Sequence, residues 1–318
     1  MTLPGKNAIW RVLVTGGAGF IGSRLVRRIE DEWPNADVTV IDDFRSGNFK
    51  NLEGFRGELI ALDMAKLDYK KHLRAQDFDA IFHLASITDT RVMDQRQMCW
   101  DNIESFRRLL EFTRERQTPI TYASSAATYG IDARVNTETD PRKPANVYGF
   151  SKVQLENLAE KFRRDPELAG WKLNAVRYFN VYGPHEQHKG AMASMINQLY
   201  LQMKQGKRPR VFKHGEQKRD FVHVDDAVQC TLLAMNSGKA GVFNTGSGEA
   251  RSFNEVIEQL NKALGLSLEP EYIDNPFPFF QPFTQADLSR SKAELGYEPK
   301  YNLENGVAQY VKWLEAQA

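Results

Sequence analysis

Residues 15–22 read TGGAGFIG, with Gly16, Gly19 and Gly22 spaced three apart. The stretch follows the apolar run Arg11-Val12-Leu13-Val14-Thr15 and opens a helical pattern over Phe20–Glu32. Glycine permits a tight turn, lets the backbone approach a pyrophosphate, and allows a helix to lie close on a strand. The helix N-terminus adds partial positive charge at the same place. A second β-rich run, Val38-Thr39-Val40-Ile41, ends at Asp42, twenty residues beyond Gly22. A carboxylate at that distance can hydrogen-bond an adenosine ribose. Strand, glycine turn, helix and acidic strand end together predict dinucleotide binding rather than a merely structural turn. Asp42 alone argues for NAD, because a carboxylate repels a 2′-phosphate. Arg45, three residues on, could pair with such a phosphate or be a solvated loop charge, and spacing leaves both readings open.

Working outward, short β-rich runs recur at Leu59-Ile60-Ala61, Ala80-Ile81-Phe82-His83, Pro119-Ile120-Thr121-Tyr122 and Leu173-Asn174-Ala175-Val176-Arg177. Helical stretches lie between them, Asn102–Arg116 among them. The alternation predicts an α/β chain with a Rossmann-type, doubly wound parallel sheet. Beyond Tyr178 it breaks down. Residues 183–192 read as a loop, Met195–Gln205 as a helix, and NPFPFFQPF (275–283) as an aromatic, proline-rich loop. The expected division is a dinucleotide-binding domain over 1–177, rejoined by about 213–240, and a smaller mixed α/β substrate lobe from 178–212 and 241–318.

The chain has 318 residues, with 42 Lys and Arg against 41 Asp and Glu. That balance leaves no basic excess to suggest nucleic acid and no polybasic run to suggest a membrane surface. Cys99 and Cys230 stand far apart and make neither a metal-ligand spacing nor a disulfide framework. No apolar run approaches membrane-spanning length, and no secretory n-region opens the chain. The expectation is a cytoplasmic protein without a metal site.

A second cluster bears on chemistry. YASSAATYG (122–130) follows a strand, and NVYGFSK (146–152) places Tyr148 and Lys152 at i and i+4 on one helix face. A phenol is a poor base at neutral pH, but a neighbouring ammonium and a cationic nicotinamide favour the phenolate. Ser125 can donate to the same substrate oxygen, and Lys152 can hold the nicotinamide ribose. Beside a glycine-rich dinucleotide loop, these three residues predict an alcohol–ketone redox centre.

TGGAGFIG, HLAS (83–86), YASSAATYG and NVYGFSK together resemble the extended short-chain dehydrogenase/reductase superfamily. RYFNVYGPHEQHKGAMAS (177–194), KRDFVHVDDA (218–227), VFNTGSGEARSF (242–253) and FTQADLSRSKAELGYEP (283–299) resemble the ADP-L-glycero-D-manno-heptose 6-epimerases, in order and over nearly the whole chain. The resemblance, not the spacing, supplies the heptose. It implies inversion at C6 of ADP-D-glycero-β-D-manno-heptose by transient oxidation to a ketone, for the lipopolysaccharide inner core. It also implies tightly bound NADP, with NAD as the alternative, and a homo-oligomer. Around the dinucleotide it places Phe20, Ile21, Asp43 and Asp63 beside the residues already named, then Leu84, Ala85, Ser86 and Asn102.

Inverting a carbinol that has no acidic proton requires oxidation and re-reduction, with two faces presented in turn to one nicotinamide. A second proton-handling group is then useful, and the resemblance assigns it to Lys189 of the HKG segment. An enclosed lysine loses solvation, its pKa falls, and it becomes a proton shuttle. His185 and His188 are read as loop-shaping. For the substrate, the resemblance implies Arg219 on the nucleotide, Asn180 and Val181 at the mouth of the sheet, and Phe212 on the base. Phe280 stands where the family usually has tyrosine, and Ala191 where familiar members have serine, so each position lacks a hydroxyl. A 4,6-dehydratase would want an acidic pair where Ala126-Ala127-Thr128 stand. The alternatives kept are a UDP-hexose 4-epimerase and a catalytically silent NADP-sensing protein.

Overall fold

The computed structural model describes residues 3–5, 8–74, 77–89, 94–274 and 281–317. In chain order, β1 (Trp10–Thr15), α1 (Phe20–Glu32), β2 (Ala36–Ile41) and β3 (Glu58–Ile60) build the first half of a sheet. The short α2 (Tyr69–His72), β4 (Ala80–His83), α3 (Gln95–Cys99), α4 (Ser105–Thr113) and β5 (Ile120–Ser125) follow. Then come β6 (Val135–Asn136), α5 (Val147–Arg164) and β7 (Leu173–Tyr178). Side chains alternate faces along β1, as a strand's period of two requires. Val12 and Val14 join Leu25, Val26 and Ile29 of α1 in one core cluster. Leu13 joins Phe106, Leu109 and Leu155 on the opposite face. Pro34, two residues past Glu32, has no amide hydrogen with which to continue α1.

The second half supplies β8 (Asn180–Tyr182), α6 (Met195–Lys204), β9 (Arg210–Phe212), β10 (Lys218–His223), α7 (Val224–Asn236), β11 (Gly241–Thr245) and β12 (Ala250–Ser252). After these come α8 (Phe253–Leu264), β13 (Glu271–Ile273), β14 (Gln285–Ala286), α9 (Ser289–Leu295) and α10 (Leu303–Glu315). Among the described residues the large sheet has seven strands in the order β11-β7-β5-β4-β1-β2-β3. Each neighbouring pair is parallel. The chain crosses from one half of the sheet to the other between β1 and β4, and ligands of such sheets bind at the carboxyl ends beside this switch point.

Two expectations need correction. Residues 241–245, assigned above to the C-terminal lobe, form the edge strand of the large sheet, with Gly241 opposite Asn174 and Thr245 opposite Tyr178. Val242-Phe243 is too short an apolar run to announce which sheet it will join; α7, packed on β7 and β11, carries it there. The helix expected over Asn102–Arg116 is interrupted. A π-type stretch at Trp100–Glu104 separates α3 from α4, and α4 ends at Thr113.

A second core holds the smaller lobe, where Ile196, Leu199 and Met203 of α6 meet Val256 and Leu260 of α8 and Val307 and Tyr310 of α10. Helix α8 has a full capping box: Ser252 Oγ accepts from the Glu255 amide, and the Glu255 carboxylate accepts from the Ser252 amide. Such a cap typically contributes about 1 kcal/mol. Small sheets β12-β10-β8 and β13-β9 accompany this core, to which β9 gives Val211 and β10 gives Phe221. No helix among the described residues is long and apolar enough to cross a membrane.

Candidate active site

A cavity of about 620 Å³ opens along the carboxyl ends of β1, β4 and β5 and runs on under the smaller lobe. At its β1 end the glycine turn has no room for side chains. A Cβ on Gly22 would fall 2.1 Å from the Gly16 carbonyl oxygen, and one on Gly16, which has a left-handed φ of +73°, would fall 2.6 Å from the Ala85 amide. Gly19 is the N-cap of α1, places no side chain on the first-turn amides, and no acidic residue follows in that turn. The first turn is therefore ready to receive an anion. Asp42, 7% exposed, lines the cavity at the tip of β2. Its carboxylate accepts from the amides of Ala18 and Phe44, both at 2.9 Å. Burial pushes its pKa up, and those two amides oppose the rise. Turn, helix end and carboxylate suit the pyrophosphate and ribose of a dinucleotide.

Arg45 is held by carboxylates. Its Nε donates to Asp43 Oδ2 at 2.6 Å and its Nη1 to Asp101 Oδ2 at 2.7 Å, with Asp63 Oδ1 at 3.5 Å. Asp42, Asp43, Asp63, Asp101 and Arg45 all line this end of the cavity, four carboxylates against one guanidinium. Asp101 was not singled out from sequence. It lies fifty-six residues from Arg45, inside the π-type stretch, and only the fold brings the pair together.

Ser125 ends β5, and Tyr148 and Lys152 sit in the first turns of α5. Asn146 caps that helix by accepting from the Gly149 amide at 2.7 Å. Lys152, 1% exposed, donates from Nζ to the Ala123 carbonyl at 2.9 Å and lies 5.7 Å from the Tyr148 ring centre. Burial lowers its pKa to about 7. Desolvation raises the Tyr148 phenol, and its hydrogen bond with Ser125 pulls the other way. Burial is the larger effect, so the phenol stands above its ordinary value. A cationic ring against the phenol would be the remaining source of depression.

Helix α5 is fixed to the sheet by a buried cluster below the site. Arg177 donates from Nε and Nη2 to Glu156 at 2.8 and 2.7 Å, and Ser124 Oγ donates to Glu156 at 2.6 Å. Burial would raise the Glu156 carboxyl, but the Arg177 contact outweighs it and the pKa is lowered. Ser124 thereby ties the strand end bearing Ser125 to the helix bearing Tyr148.

Lys189 reaches the same cavity from the turn Gln187–Met192, with Nζ 5.4 Å from the Phe20 ring centre. Burial lowers its pKa, and Glu186 counters that shift. The histidines of the turn have separate partners: the His185 ring packs 5.1 Å from Trp313, and His188 Nδ1 lies 3.1 Å from Asn51 Nδ2. Arg219, Phe212, Asn180 and Val181 line the lobe end of the cavity. The Arg219 guanidinium stands 5.9 Å over the Phe253 ring, and burial lowers its pKa to about 10, leaving it charged at neutral pH.

A family model for the NAD dependent epimerase/dehydratase family matches residues 12–246. The fold and the match agree along the whole glycine-turn, Ser125 and Tyr148 region. The chain belongs to that family. Among solved structures it is similar to the Helicobacter pylori ADP-L-glycero-D-manno-heptose-6-epimerase, at 39% identity, 98% of this chain, 97% of the other and a TM-score of 0.90. It is similar to the Thermotoga maritima UDP-glucose 4-epimerase solved with UDP-glucose, at 30% identity, coverage of 96% and 99%, and TM-score 0.89. A UDP-glucuronic acid 4-epimerase from Bacillus cereus, solved with UDP-glucuronic acid and NAD, matches at 27% identity, coverage of 97% and 100%, and TM-score 0.85.

This epimerase brings most of the residues named from sequence to one cavity. Gly16, Gly19, Phe20, Ile21 and Gly22 line it, as do Asp63, Leu84, Ala85 and Ser86. Asn102 instead stands behind the wall. It is 1% exposed, accepts from the Ile87 amide at 2.8 Å and donates to the Ile87 carbonyl at 3.1 Å and to Ser151 at 3.0 Å, bracing the segment after β4. Ala191 faces outward, and its carbonyl accepts from Gln198 at 3.2 Å. Phe280 lies outside the described residues. Met195, Phe221 and Phe253 also line the cavity; their apolar spacing reads equally well as lobe core, so nothing local marked them.

Proposed function

We propose that this epimerase inverts C6 of ADP-D-glycero-β-D-manno-heptose, giving the L-glycero epimer used in the lipopolysaccharide inner core. The observation that carries the reading is that two proton-handling side chains from different lobes, Tyr148 and Lys189, line one cavity that also holds the glycine turn. The family likeness to the Helicobacter pylori heptose epimerase supports the substrate. A nicotinamide dinucleotide supplies the two-electron oxidant and returns the same reducing equivalent. Ser125 positions the carbinol oxygen, and Tyr148 removes its proton as the ketone forms. The exocyclic arm then turns within the cavity. Lys189 delivers a proton to the oxygen in its second orientation, while Lys152 holds the nicotinamide ribose and steadies charge on Tyr148. Arg219, charged and only loosely solvated, grips the substrate diphosphate.

The dinucleotide in this reading is NAD, although the family resemblance pointed to NADP, because Arg45 is already engaged by Asp43, Asp101 and Asp63. Proton NMR of ADP-D-glycero-β-D-manno-heptose with purified protein and no added cofactor tests the whole reading. Two C6 epimers at equilibrium are expected, from cofactor retained through purification. Inertness toward this sugar, with UDP-hexoses interconverted at C4, would assign the chain to the 4-epimerases instead. Lys189→Met should lose on the order of 10² or more in turnover, as for removal of a positioned acid–base group.

A further inference from the structure

Glu186 is a carboxylate with no part in the chemistry just described, yet it is 0% exposed. Buried carboxylates cost free energy unless they are well paired, so its contacts indicate what it is kept for. Oε1 accepts from the Gly183 amide at 3.1 Å and from Ser194 Oγ at 2.8 Å, and Oε2 accepts from the Ser194 amide at 2.5 Å. Gly183 and Ser194 are the two ends of the turn that carries Lys189. The Glu186 backbone carbonyl accepts from the Lys189 amide at 3.0 Å, closing the first part of that turn.

The turn needs such a clasp. His185 adopts φ +75°, a left-handed conformation costly for a residue with a Cβ, and Gly190 breaks the helical geometry at φ 53°, ψ −121°. Its central stretch has little packing to hold it, for none of Gln187–Met192 is fully buried. Beyond the turn, Ser194 is the N-cap of α6, accepting from the Asn197 amide at 3.2 Å. One carboxylate thus joins the end of β8, the Lys189 turn and the start of α6.

We propose that Glu186 is a positioning residue for the reaction: its carboxylate clamps both ends of the 183–194 turn and so fixes where, and in what electrostatic setting, Lys189 meets the substrate. This rests on the role proposed above for Lys189. The setting involves charge as well as geometry. Glu186 faces Lys189 on its own turn, Tyr182 from β8 and Tyr310 from α10, and Lys189 also faces His188. Burial pushes the Glu186 carboxyl up while the Ser194 and Gly183 amides and Lys189 pull it back, and its charge opposes the loss of the Lys189 proton that burial favours.

Glu186→Gln keeps the volume and one acceptor oxygen while removing the charge. In the holoenzyme the expected result is a kcat at least about tenfold lower, a KM for the nucleotide sugar within about threefold, and full retention of bound dinucleotide. The limb of the pH–kcat profile that disappears in Lys189→Met should move to lower pH. In the Lys189→Met background the glutamine change should add nothing further to kcat, because both act through one group. A limb that stays in place, or effects that simply add, would overturn the proposal and leave Glu186 as a fold-stabilising residue. Near-wild-type turnover of Lys189→Met would instead remove the reading on which it rests. Should the glutamine variant not fold, Ser194→Ala removes the hydroxyl donor to Glu186: a lowered kcat at constant KM supports the clamp, and an unchanged kcat overturns it.

Discussion

A dinucleotide preference is the most direct consequence of the charges around Arg45. A 2′-phosphate brings close to two negative charges to an end lined by Asp42, Asp43, Asp63 and Asp101 with one guanidinium among them. Two like charges about 4 Å apart repel by about 1 kcal/mol in bulk water and by about 4 kcal/mol at an effective dielectric of about 20. The Arg45 side chain is 44% exposed and that of Asp43 25%, so solvent screens the cluster and the lower part of that range applies. Each carboxylate near the phosphate then costs about 1–2 kcal/mol, or about tenfold in affinity. The perturbation is Asp43→Asn, which releases Arg45 from its nearest partner and removes one charge. By calorimetric titration of protein stripped of its dinucleotide, the wild type should bind NAD at least about tenfold more tightly than NADP. The variant should gain about tenfold for NADP with NAD changed by less than about threefold. Added salt should shrink the wild-type preference. A wild type that prefers NADP, or a variant whose NADP/NAD ratio does not move, would refute the argument.

Two further outcomes follow from other parts of the site. Arg219→Ala should raise KM for the nucleotide sugar by about 10–100-fold with kcat much less affected, since a charge-assisted hydrogen bond of about 1.5–3 kcal/mol is lost; a fall confined to kcat in steady-state assays would mean the guanidinium does not grip the ground-state diphosphate. His83 is fully buried, with Nδ1 2.9 Å from Thr15 Oγ1, and burial first, then the Lys152 charge, lowers its pKa to about 3. Its neutral form is the one the fold accepts, so the unfolded chain binds the extra proton below the ordinary value of 6.5. Stability should therefore fall as pH drops from about 6.5 toward 3. Denaturant melts of His83→Gln should show a shallower acid loss over that window, and parallel curves for the two proteins would contradict the assignment.

Features that depend on near neighbours along the chain were legible in the residues alone. The strand–glycine turn–helix unit is written in a period of two giving way to a period near 3.6, and Asp42 lies one strand further on. Tyr148 and Lys152 share a helix face because four residues make about one turn. Tertiary structure decided what depends on partners brought from far away. Arg45 looked equally able to greet a phosphate or float in solvent, and Asp101, delivered by a π-type stretch that no local pattern announces, settles its pairing. Asn102 and Ala191 sit one or two residues from cavity-lining positions, yet one points behind the wall and the other outward, since the direction of a side chain in an irregular stretch is set by what packs against it. Gly241–Thr245 joined the large sheet for the same reason. Glu186 stands in a stretch read only as a loop, and its role as a clamp comes from burial between Gly183 and Ser194. Periodicity is local and survives in the string of residues; the desolvation and pairing of charge are properties of the folded packing.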